Sequence, residues 1–464
     1  MNAPDLSVRR ANVAVGALSL GTALNPLNSS MIAVALVVLR KDFGLNVTTV
    51  TWVITAFYLA SAAGQPLMGR LADRFGSRRL FVFGMALVVV VCVLTPFSPT
   101  FAFLCVGRIF LAIGTATAFP SAIAMLKTIT EQAGLSSPRL IGRIQIANTS
   151  GAAIGPVIGG ILVTTLGWQA IFWVNVPLAV LAMIGTRLFA PADAVREREP
   201  MRVTIGQSDI PGILAFAATL VALLIFLLSL PSGPAWWLVP VTLAACAVFI
   251  WREMSTKTPF IDLRLLAANH ALMMVYLCFA IFNLIYYCAF FGLPQFLEDH
   301  GGYRTDIVGL LMFPLAALSV VITPFAARLI ERRGLHFTLN LGGSMLLLSA
   351  ALLGLIGLTT SPVVVLLITA AMGIPYCIVS IAMSQALYAS VRPQDAGVAA
   401  GIFQTSRYVG AILATALLGM MFASGTTSTN WLLVIAVATA LAVVLLGLLI
   451  VWRARRAPDA ATRS

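Results

Sequence analysis

The sequence predicts an all-α membrane protein, and three observations indicate it: composition, recurrent apolar runs and the placement of basic residues. Of the 464 residues, 60% are hydrophobic and 10% are charged, whereas a soluble domain carries about 25% charged residues. A helix needs about 20 mostly apolar residues to cross a bilayer, because hydrocarbon offers no partners to bare backbone groups. Runs of that kind recur along almost the whole chain.

The apolar runs between charged or Pro/Gly-rich breaks form a first group of six, a pair and a last group of six, fourteen predicted spans in all. They lie near residues 13–39, 49–69, 80–97, 101–127, 141–166 and 168–190, then 210–230 and 235–251, and finally 270–296, 305–328, 338–359, 362–388, 394–422 and 430–452. We therefore expect an N-terminal six-helix bundle at 1–200, a two-helix insert at 201–260 and a C-terminal six-helix bundle at 261–464.

Basic residues alternate between rich and poor loops. Both termini and the loops after even-numbered spans are basic or mixed, whereas the other loops hold only Arg40, Lys41 and Arg304. Because Lys and Arg concentrate in cytoplasmic loops, this pattern predicts an even number of spans in the cell membrane, plasma or inner, with both termini cytoplasmic. The net charge of +13 therefore reports orientation and does not indicate a nucleic-acid partner.

A charged loop between spans 2 and 3 is repeated later in the chain. GRLADRFGSRRL at 69–80 and ARLIERRGLHF at 327–337 match at six positions with an offset of 258 residues, and GAAIGPVIGG at 151–160 falls within one residue of GAILATALLG at 410–419 under that offset. Spans 1 and 9 are related in the same way. The sequence thus predicts two similar halves around a central cavity, as in many secondary transporters.

The two matching loops are predicted to gate the movement of one half against the other. Their glycines permit tight turns, and their acids and arginines can pair or cap neighbouring helix ends. The alternative is that they are topology signals only. The predicted gating residues of the loops are Gly69, Asp73, Arg74, Gly76, Glu331 and Arg332.

Four motifs together resemble the major facilitator superfamily, in particular its fourteen-span drug/proton antiporter branch. GRLADRFGSRRL is similar to the signature between spans 2 and 3, and RIFLAIGTA at 108–116 resembles the span 4 motif. NTSGAAIGPVIGG at 148–160 resembles the exporter motif of span 5, and GWQAIFWVNVP at 167–177 is similar to the opening of span 6. The resemblance covers nearly the whole chain.

The resemblance implies the major facilitator fold with two added helices, and export of small amphipathic compounds by alternating access with an ion gradient, protons being the expected ion. It also implies a hinge or seal on span 5, where spaced glycines leave a helix face free for close approach. Ordinary helix packing is the alternative. The residues concerned are Gly151, Gly155, Pro156 and Gly159.

The sequence departs from the branch at positions that matter for proton coupling. LNSSMIAVALV places Asn28 where the branch has an acid and Val37 where it has a proline, and Leu111-Ala112 stands in place of the usual Gln-Gly pair. Span 1 therefore has no carboxylate at the position through which the branch would couple transport to protons.

Two arginines, Arg108 and Arg407, lie well inside predicted spans. An arginine at the bilayer centre costs about 2.5–3.5 kcal/mol on insertion scales, so each should face a cavity or find partners. They either line or gate the cavity, or bond backbone carbonyls and neighbours such as Asn148 or Gln404. Because the predicted span cores contain no Asp or Glu, two embedded cations favour a neutral or anionic amphipathic substrate.

Polar and aromatic residues within spans are further candidates for substrate contact. Asn25, Asn28 and Ser29, with Ser30, cluster on about one turn of span 1 beside Pro26, which frees a backbone carbonyl. They could equally hold span 1 to a neighbouring helix. The other candidates are Tyr58, Gln65, Asn283, Tyr286, Tyr287 and Gln404.

Other classes of protein are disfavoured. The chain has no G-x-x-x-x-G-K-[ST] phosphate loop, so a gradient must drive transport. The three histidines are scattered and the six cysteines lie in apolar runs, which predicts neither an enzyme nor a metal or cofactor site. We expect a monomer whose partners are a small-molecule substrate, the bilayer and coupling protons. The alternative is a lipid or metabolite transporter, or an uptake facilitator, without proton coupling.

Overall fold

A computed structural model describes residues 7–135, 137–193, 209–230, 233–256, 259, 263–264, 269–391 and 396–461, and every regular element within them is a helix. The first six long helices are α1 (Val8–Asp42), α2 (Trp52–Phe75), α3 (Ser77–Leu94), α4 in two segments (Phe101–Ala116 and Ala118–Ala133), α5 (Ser137–Leu166) and α6 (Asn175–Phe189). One-turn helices, Val47–Val50 and Ala170–Trp173, precede α2 and α6.

The remaining helices continue the series. They are α7 (Ile210–Ser229), α8 (Leu238–Ser255), α9 (His270–Asp299), α10 (Thr305–Arg333), α11 (Leu335–Leu352), α12 (Pro362–Ala389), α13 (Ala396–Met421) and α14 (Ser428–Ala461). Short 3₁₀ turns, Thr95–Phe97 and Leu353–Gly357, extend α3 and α11. Each predicted span thus lies on a helix.

The all-α fold is confirmed, whereas the count of fourteen spans stays a prediction. Within the described residues, eleven helical stretches are long and apolar enough to cross a membrane. Two shorter apolar stretches, Pro211–Leu227 and Thr305–Ser319, belong to α7 and α10, and α13 is not among the eleven.

The repeated loop folds in the same way both times. Gly76 ends α2 with φ 94°, and Gly334 ends α10 with φ 83°. The next helix begins at the following residue in each case. A side chain is rarely tolerated at such φ values, so glycine is required for this turn.

The packing of the first six helices is repeated eight helices later. α1 packs on α5 and α6, as α9 packs on α13 and α14. α2 packs on α4, as α10 packs on α12. α3 packs on α4 and α6, as α11 packs on α12 and α14. We call these two groups the first and second halves. The predicted domain boundaries at residues 200 and 260 fall outside the described residues.

Matching glycines bring an equivalent helix pair together in each half. A Cβ added at Gly151 on α5 would lie 2.8 Å from the carbonyl oxygen of Ala23 on α1, and one added at Gly410 on α13 would lie 2.5 Å from that of Ala280 on α9. A Cβ at Gly155 would overlap with the Ser30 hydroxyl. The glycine face of α5 therefore brings its backbone against α1.

The two halves meet along two helix pairs that the repeat relates to each other, α2 with α13 and α5 with α10. α1 and α9 also touch across the interface. The α7–α8 hairpin lies beside this arrangement, with α7 against α13 and α2. The space that remains between the halves forms a small cavity.

Candidate functional site

A small cavity lies where the two halves meet. We call it the central cavity; its volume is about 20 Å³, and roughly 10–15 Å³ is needed to hold one water molecule. It therefore has room for about one water molecule. Its lining comes from α1, α2 and α5 of the first half and from α9, α12 and α13 of the second: Pro26, Ser29, Ser30, Tyr58, Ala152, Tyr286, Tyr287, Phe290, Tyr376 and Arg407.

Arg407 is the charged residue of this lining. Its Nε donates to the hydroxyl of Tyr287 at 3.1 Å, and its Nη2 lies 3.5 Å from the hydroxyl of Tyr376. No lining residue is a carboxylate. Within the described contacts the guanidinium is thus balanced by hydroxyl dipoles alone, as expected of an arginine that faces a cavity inside a membrane.

Aromatic rings fill most of the remaining wall. The rings of Tyr286 and Tyr376 stack with centroids 3.9 Å apart, and Tyr58 meets Tyr287 edge-on at 5.5 Å. The Tyr58 hydroxyl is buried beside the hydroxyls of Ser29 and Tyr287. The cavity therefore offers flat apolar faces, a cation and hydroxyl groups.

Six of the residues predicted for substrate contact line the cavity, namely Ser29, Ser30, Tyr58, Tyr286, Tyr287 and Arg407. Asn25 does not; its Nδ2 donates to Thr115 Oγ1 on α4 at 3.0 Å. The structure thus separates a cluster that lies on one turn of α1 into residues that face the cavity and residues that do not.

Asn28 likewise faces away from the cavity. Its amide exchanges hydrogen bonds of 2.8 and 3.0 Å with the amide of Asn175 on α6, and both residues are buried. At the position where the resembling branch has an acid, this protein therefore has a neutral amide pair that holds α1 to α6. For both asparagines the geometry matches helix packing.

Arg108 lies outside the cavity lining and inside the first half. Its Nε donates to the carbonyl of Val53 on α2 at 3.2 Å, and its guanidinium lies 4.3 Å from the centre of the Phe57 ring. Its Nη2 is buried without a hydrogen-bond partner among the described residues. These partners differ from Asn148 and Gln404, the neighbours expected from the sequence; a gating role for Arg108 stays a prediction.

Three further candidates also lie outside the lining. Gln65 donates to the hydroxyl of Tyr408 at 3.2 Å, a contact from α2 to α13 across the halves. Asn283 donates to the Phe279 carbonyl at 2.7 Å. Gln404 is half-buried on α13.

Sequence reasoning missed Tyr376, Phe290 and Ala152. Tyr376 directly follows Pro375, which lies inside α12 as Pro26 lies inside α1. A proline within a membrane helix frees a backbone carbonyl and is tolerated where the helix meets partners or a cavity. A polar aromatic residue beside such a proline is the signal that would have pointed to Tyr376.

The loop between α2 and α3 is bound to the end of α6 in the described part of the chain. The Asp193 carboxylate accepts hydrogen bonds from the backbone N–H groups of Arg78 and Arg79 at 2.9 and 3.0 Å, which caps α3, and Arg78 Nη2 donates to the Arg187 carbonyl at the end of α6. These contacts join elements of the first half. They support helix capping by this loop.

Among the described side chains, those of the remaining loop candidates make no hydrogen bond or ion pair between the halves. The side chains of Asp73 and Arg74 lie outside the described part of the structure, and Gly69 and Gly76 are half-buried. Glu331 and Arg332 are exposed in the last turn of α10. Gating by both loops therefore stays a prediction.

One face of the helix bundle is closed by contacts between the halves. It is the face where α1 and α9 end, and we call it the distal face. The guanidinium of Arg40 binds both carboxylate oxygens of Asp299 at 2.7 and 2.5 Å, Thr426 donates to Asp299 at 2.8 Å, and Thr48 donates to the Gly419 carbonyl at 2.9 Å. The contact of Arg40 with Asp299 joins α1 to α9, so it spans the two halves.

Small residues bring α5 and α10 together at the same face. A Cβ added at Gly160 would lie 2.8 Å from the Thr305 carbonyl oxygen, and one added at Gly309 would overlap with the Pro156 carbonyl oxygen. Pro156, a predicted gating residue, is thus part of a contact between the halves. We call the ion pair and this crossing together the distal seal.

Two helical halves around a polar cavity, with a seal on one face, define the class of membrane transporters. A model of the Major Facilitator Superfamily matches residues 18–415. The chain belongs to that family, and it is a multi-pass membrane transporter and not an enzyme.

Several relatives and structures are similar to the chain. The Uncharacterized MFS-type transporter YwoD of Bacillus subtilis (strain 168) is 36% identical over 92% of this chain and 93% of its own length. The Tetracenomycin C resistance and export protein of Streptomyces glaucescens is 28% identical over 88% and 75%, and the Riboflavin transporter RibZ of Clostridioides difficile (strain 630) is 25% identical over 88% of each.

The fold is also similar to that of a solved transporter. The crystal structure of a POT family transporter in complex with 5-aminolevulinic acid aligns with a TM-score of 0.69, 14% identity, and coverage of 96% of this chain and 97% of that one. At that identity the likeness shows the fold alone.

Proposed function

We propose that the protein is a secondary active exporter of small amphipathic compounds that works by alternating access and is driven by protons. The observation that carries the proposal is the central cavity: residues of both halves line it, it is about 20 Å³ in this structure, and so it can admit a substrate only if the halves move apart. Movement of two repeats about a midplane site is how many secondary transporters work.

The distal seal supports this mechanism. Its contacts are an ion pair and a glycine crossing, and each of them can break without unfolding a helix. We propose that the distal face is extracytoplasmic, with both termini in the cytoplasm, in keeping with the sided distribution of basic residues. The structure then represents a state closed to the outside.

Export, as opposed to uptake, is supported by the glycine motif on α5 and by the tetracenomycin relative, whose name describes export. The riboflavin transporter keeps a metabolite substrate as the second candidate. Both candidates use the same cavity, so the direction and the ion dependence of transport separate them.

Proton coupling needs a carboxylate other than the span 1 acid. Asp299 in the distal seal and the adjacent Glu298, whose Oε2 accepts a hydrogen bond from Thr305 at 3.2 Å, are our candidates. Opening the seal would expose both carboxylates to water and remove Arg40 from Asp299. The surroundings of both carboxylates would then differ between the two states, as coupling requires.

Transport into inverted membrane vesicles tests the proposal. With an imposed inside-acidic pH gradient, we expect vesicles that contain the protein to accumulate at least one compound from a panel of neutral, acidic and cationic amphipathic molecules. A protonophore should abolish the accumulation, and vesicles without the protein are the control. Accumulation that is indifferent to the gradient would refute proton coupling, and accumulation only in right-side-out vesicles would refute export.

A further inference from the structure

The charge of Arg407 lacks a counter-ion in the described part of the structure. Its two hydrogen bonds go to the neutral hydroxyls of Tyr287 and Tyr376, and no carboxylate lines the cavity. A guanidinium has further N–H donors in a planar fork that matches a carboxylate. In a low-dielectric cavity an anion is bound strongly by such a group, whereas a cation is repelled.

The walls of the cavity suit a flat apolar group. The ring of Tyr58 on α2 packs across the interface against the rings of Tyr287 and Phe291 on α9, with centroids 5.5 and 5.9 Å apart. When the halves separate, the ring faces that meet Tyr58 become free for offset stacking with a flat ring.

A second polar group converges on the same space. The hydroxyl of Tyr58 is buried and lines the cavity, beside the hydroxyls of Ser29 and Tyr287. Tyr58 as a whole is 1% exposed. A buried hydroxyl needs a hydrogen-bond acceptor, and a ligand oxygen that also contacts Arg407 would supply a charged one.

We propose that Arg407, Tyr58 and the surrounding aromatic rings form a recognition site for an aromatic carboxylate, a flat ring with one negative charge. The carboxylate binds the guanidinium and the Tyr58 hydroxyl, and the ring stacks on the freed tyrosine faces. This narrows the substrate class of the exporter and rests on the proposed function. It also requires that cationic drugs bind poorly.

Binding of three probes with the same ring to the full-length purified protein in nanodiscs tests this site. The probes are 2-naphthoate, neutral 2-naphthamide and cationic 2-naphthylmethylammonium, and isothermal titration calorimetry measures their Kd values. We expect naphthoate to bind at least about tenfold more tightly than naphthamide, since a charge-assisted pair is roughly twice as strong as a neutral hydrogen bond. The cation should bind most weakly.

Variants assign the preference to named groups. Arg407→Gln should weaken naphthoate binding by about tenfold or more while changing naphthamide binding little, because only the carboxylate uses the charge. Arg407→Lys keeps the charge without the fork and should lie in between. Tyr58→Phe should weaken naphthoate binding severalfold. Arg304→Gln, at an exposed arginine outside the cavity, is the matched control, and the melting temperature of each variant shows whether it is folded.

Several results would overturn the assignment: tighter binding of the cation than of naphthoate, equal binding of naphthoate and naphthamide, no binding of any probe, or an unchanged preference in both folded Arg407 variants. Transport measurements distinguish failure of this site from failure of the exporter proposal. If gradient-driven transport is found without naphthoate binding, the exporter stands and this site falls. If naphthoate binds but no gradient-driven transport is found, the site stands and the exporter falls.

Discussion

Arg40→Ala is expected to raise the rate at which reagents reach the central cavity from the distal face by about tenfold. The hydrogen-bonded ion pair of Arg40 with Asp299 joins the halves, and its side chains are only 19% and 11% exposed, so water screens it weakly. Hydrogen bonds to charged groups contribute roughly 1.5–3 kcal/mol, and about 1.4 kcal/mol corresponds to a tenfold change in equilibrium. Loss of the pair should therefore favour opening of the distal face.

The measurement uses Ser29→Cys, in the cavity wall, in protein whose six native cysteines are replaced. A membrane-impermeant maleimide added on the distal side then reports cavity access as a labelling rate. Arg304→Ala is the matched control, because the Arg304–Asp306 pair lies at the start of α10 in the second half and its arginine is 72% exposed. Such pairs contribute about 0–1 kcal/mol. Exchange of the charges, Arg40→Asp with Asp299→Arg, should restore slow labelling. Equal rates in Arg40→Ala and the parent would show that this pair does not hold the distal face closed.

Gly309→Val is expected to reduce gradient-driven transport by at least about fivefold while leaving the melting temperature nearly unchanged. A side chain at position 309 would overlap with the Pro156 carbonyl oxygen on the opposite half, so the halves could not close at this face. Overpacking of this kind costs about 1–3 kcal/mol, which corresponds to a shift of roughly 5–150-fold between two states. The readout is the initial rate of accumulation in inverted vesicles per amount of protein.

Two other valine substitutions separate closure of the halves from general misfolding. Gly447→Val on α14 meets nothing within 4 Å at its Cβ and should transport like the parent. A side chain at Gly155→Val would overlap with the Ser30 hydroxyl within the first half. This variant should therefore lower the melting temperature by several degrees. Parental transport by Gly309→Val would mean that the α5–α10 crossing does not need to close during the cycle.

Local patterns of the sequence predict much of the fold. Apolar runs predict the helices because a bilayer permits little else, and the offset of 258 residues relates Gly76 to Gly334, which form the same turn. Gly151 and Gly410 were paired by the same repeat and make equivalent contacts in the two halves. These features depend on patterns within a short stretch of chain, or on the comparison of two such stretches.

The candidate site was predictable only in part. Arg407 is predicted because a cation within a span needs a cavity or partners, and Tyr287 because it is a polar aromatic residue within a span. The structure places both in the lining. Asn25 and Ser29 lie on neighbouring parts of one helix turn, and nothing local shows that the first meets α4 while the second faces the cavity. Tyr376 stands in an apolar run and carries no pattern apart from the preceding proline.

The ion pair of the distal seal does not follow from the sequence, for a related reason. Arg40 stands in a segment poor in basic residues, where it indicates topology, and its partner Asp299 is 259 positions away. The repeat offset maps Arg40 to within one residue of Asp299. The end of α1 and the end of α9 are therefore equivalent positions in the two halves. An opposite charge at equivalent positions of two repeats is the signal that would have indicated the pair.

Distances between spin labels show whether the two halves rock about the cavity. In the cysteine-replaced protein, one labelled pair joins the halves at the distal face, Thr165→Cys with Ser424→Cys, and another joins them at the opposite face, Glu131→Cys with Glu331→Cys; all four positions are exposed. Double electron–electron resonance compares each pair in the presence and absence of Arg40→Ala. We expect the distal distance to lengthen by several ångströms as the other shortens, whereas distances that stay fixed, or that lengthen together, would contradict a rocking movement.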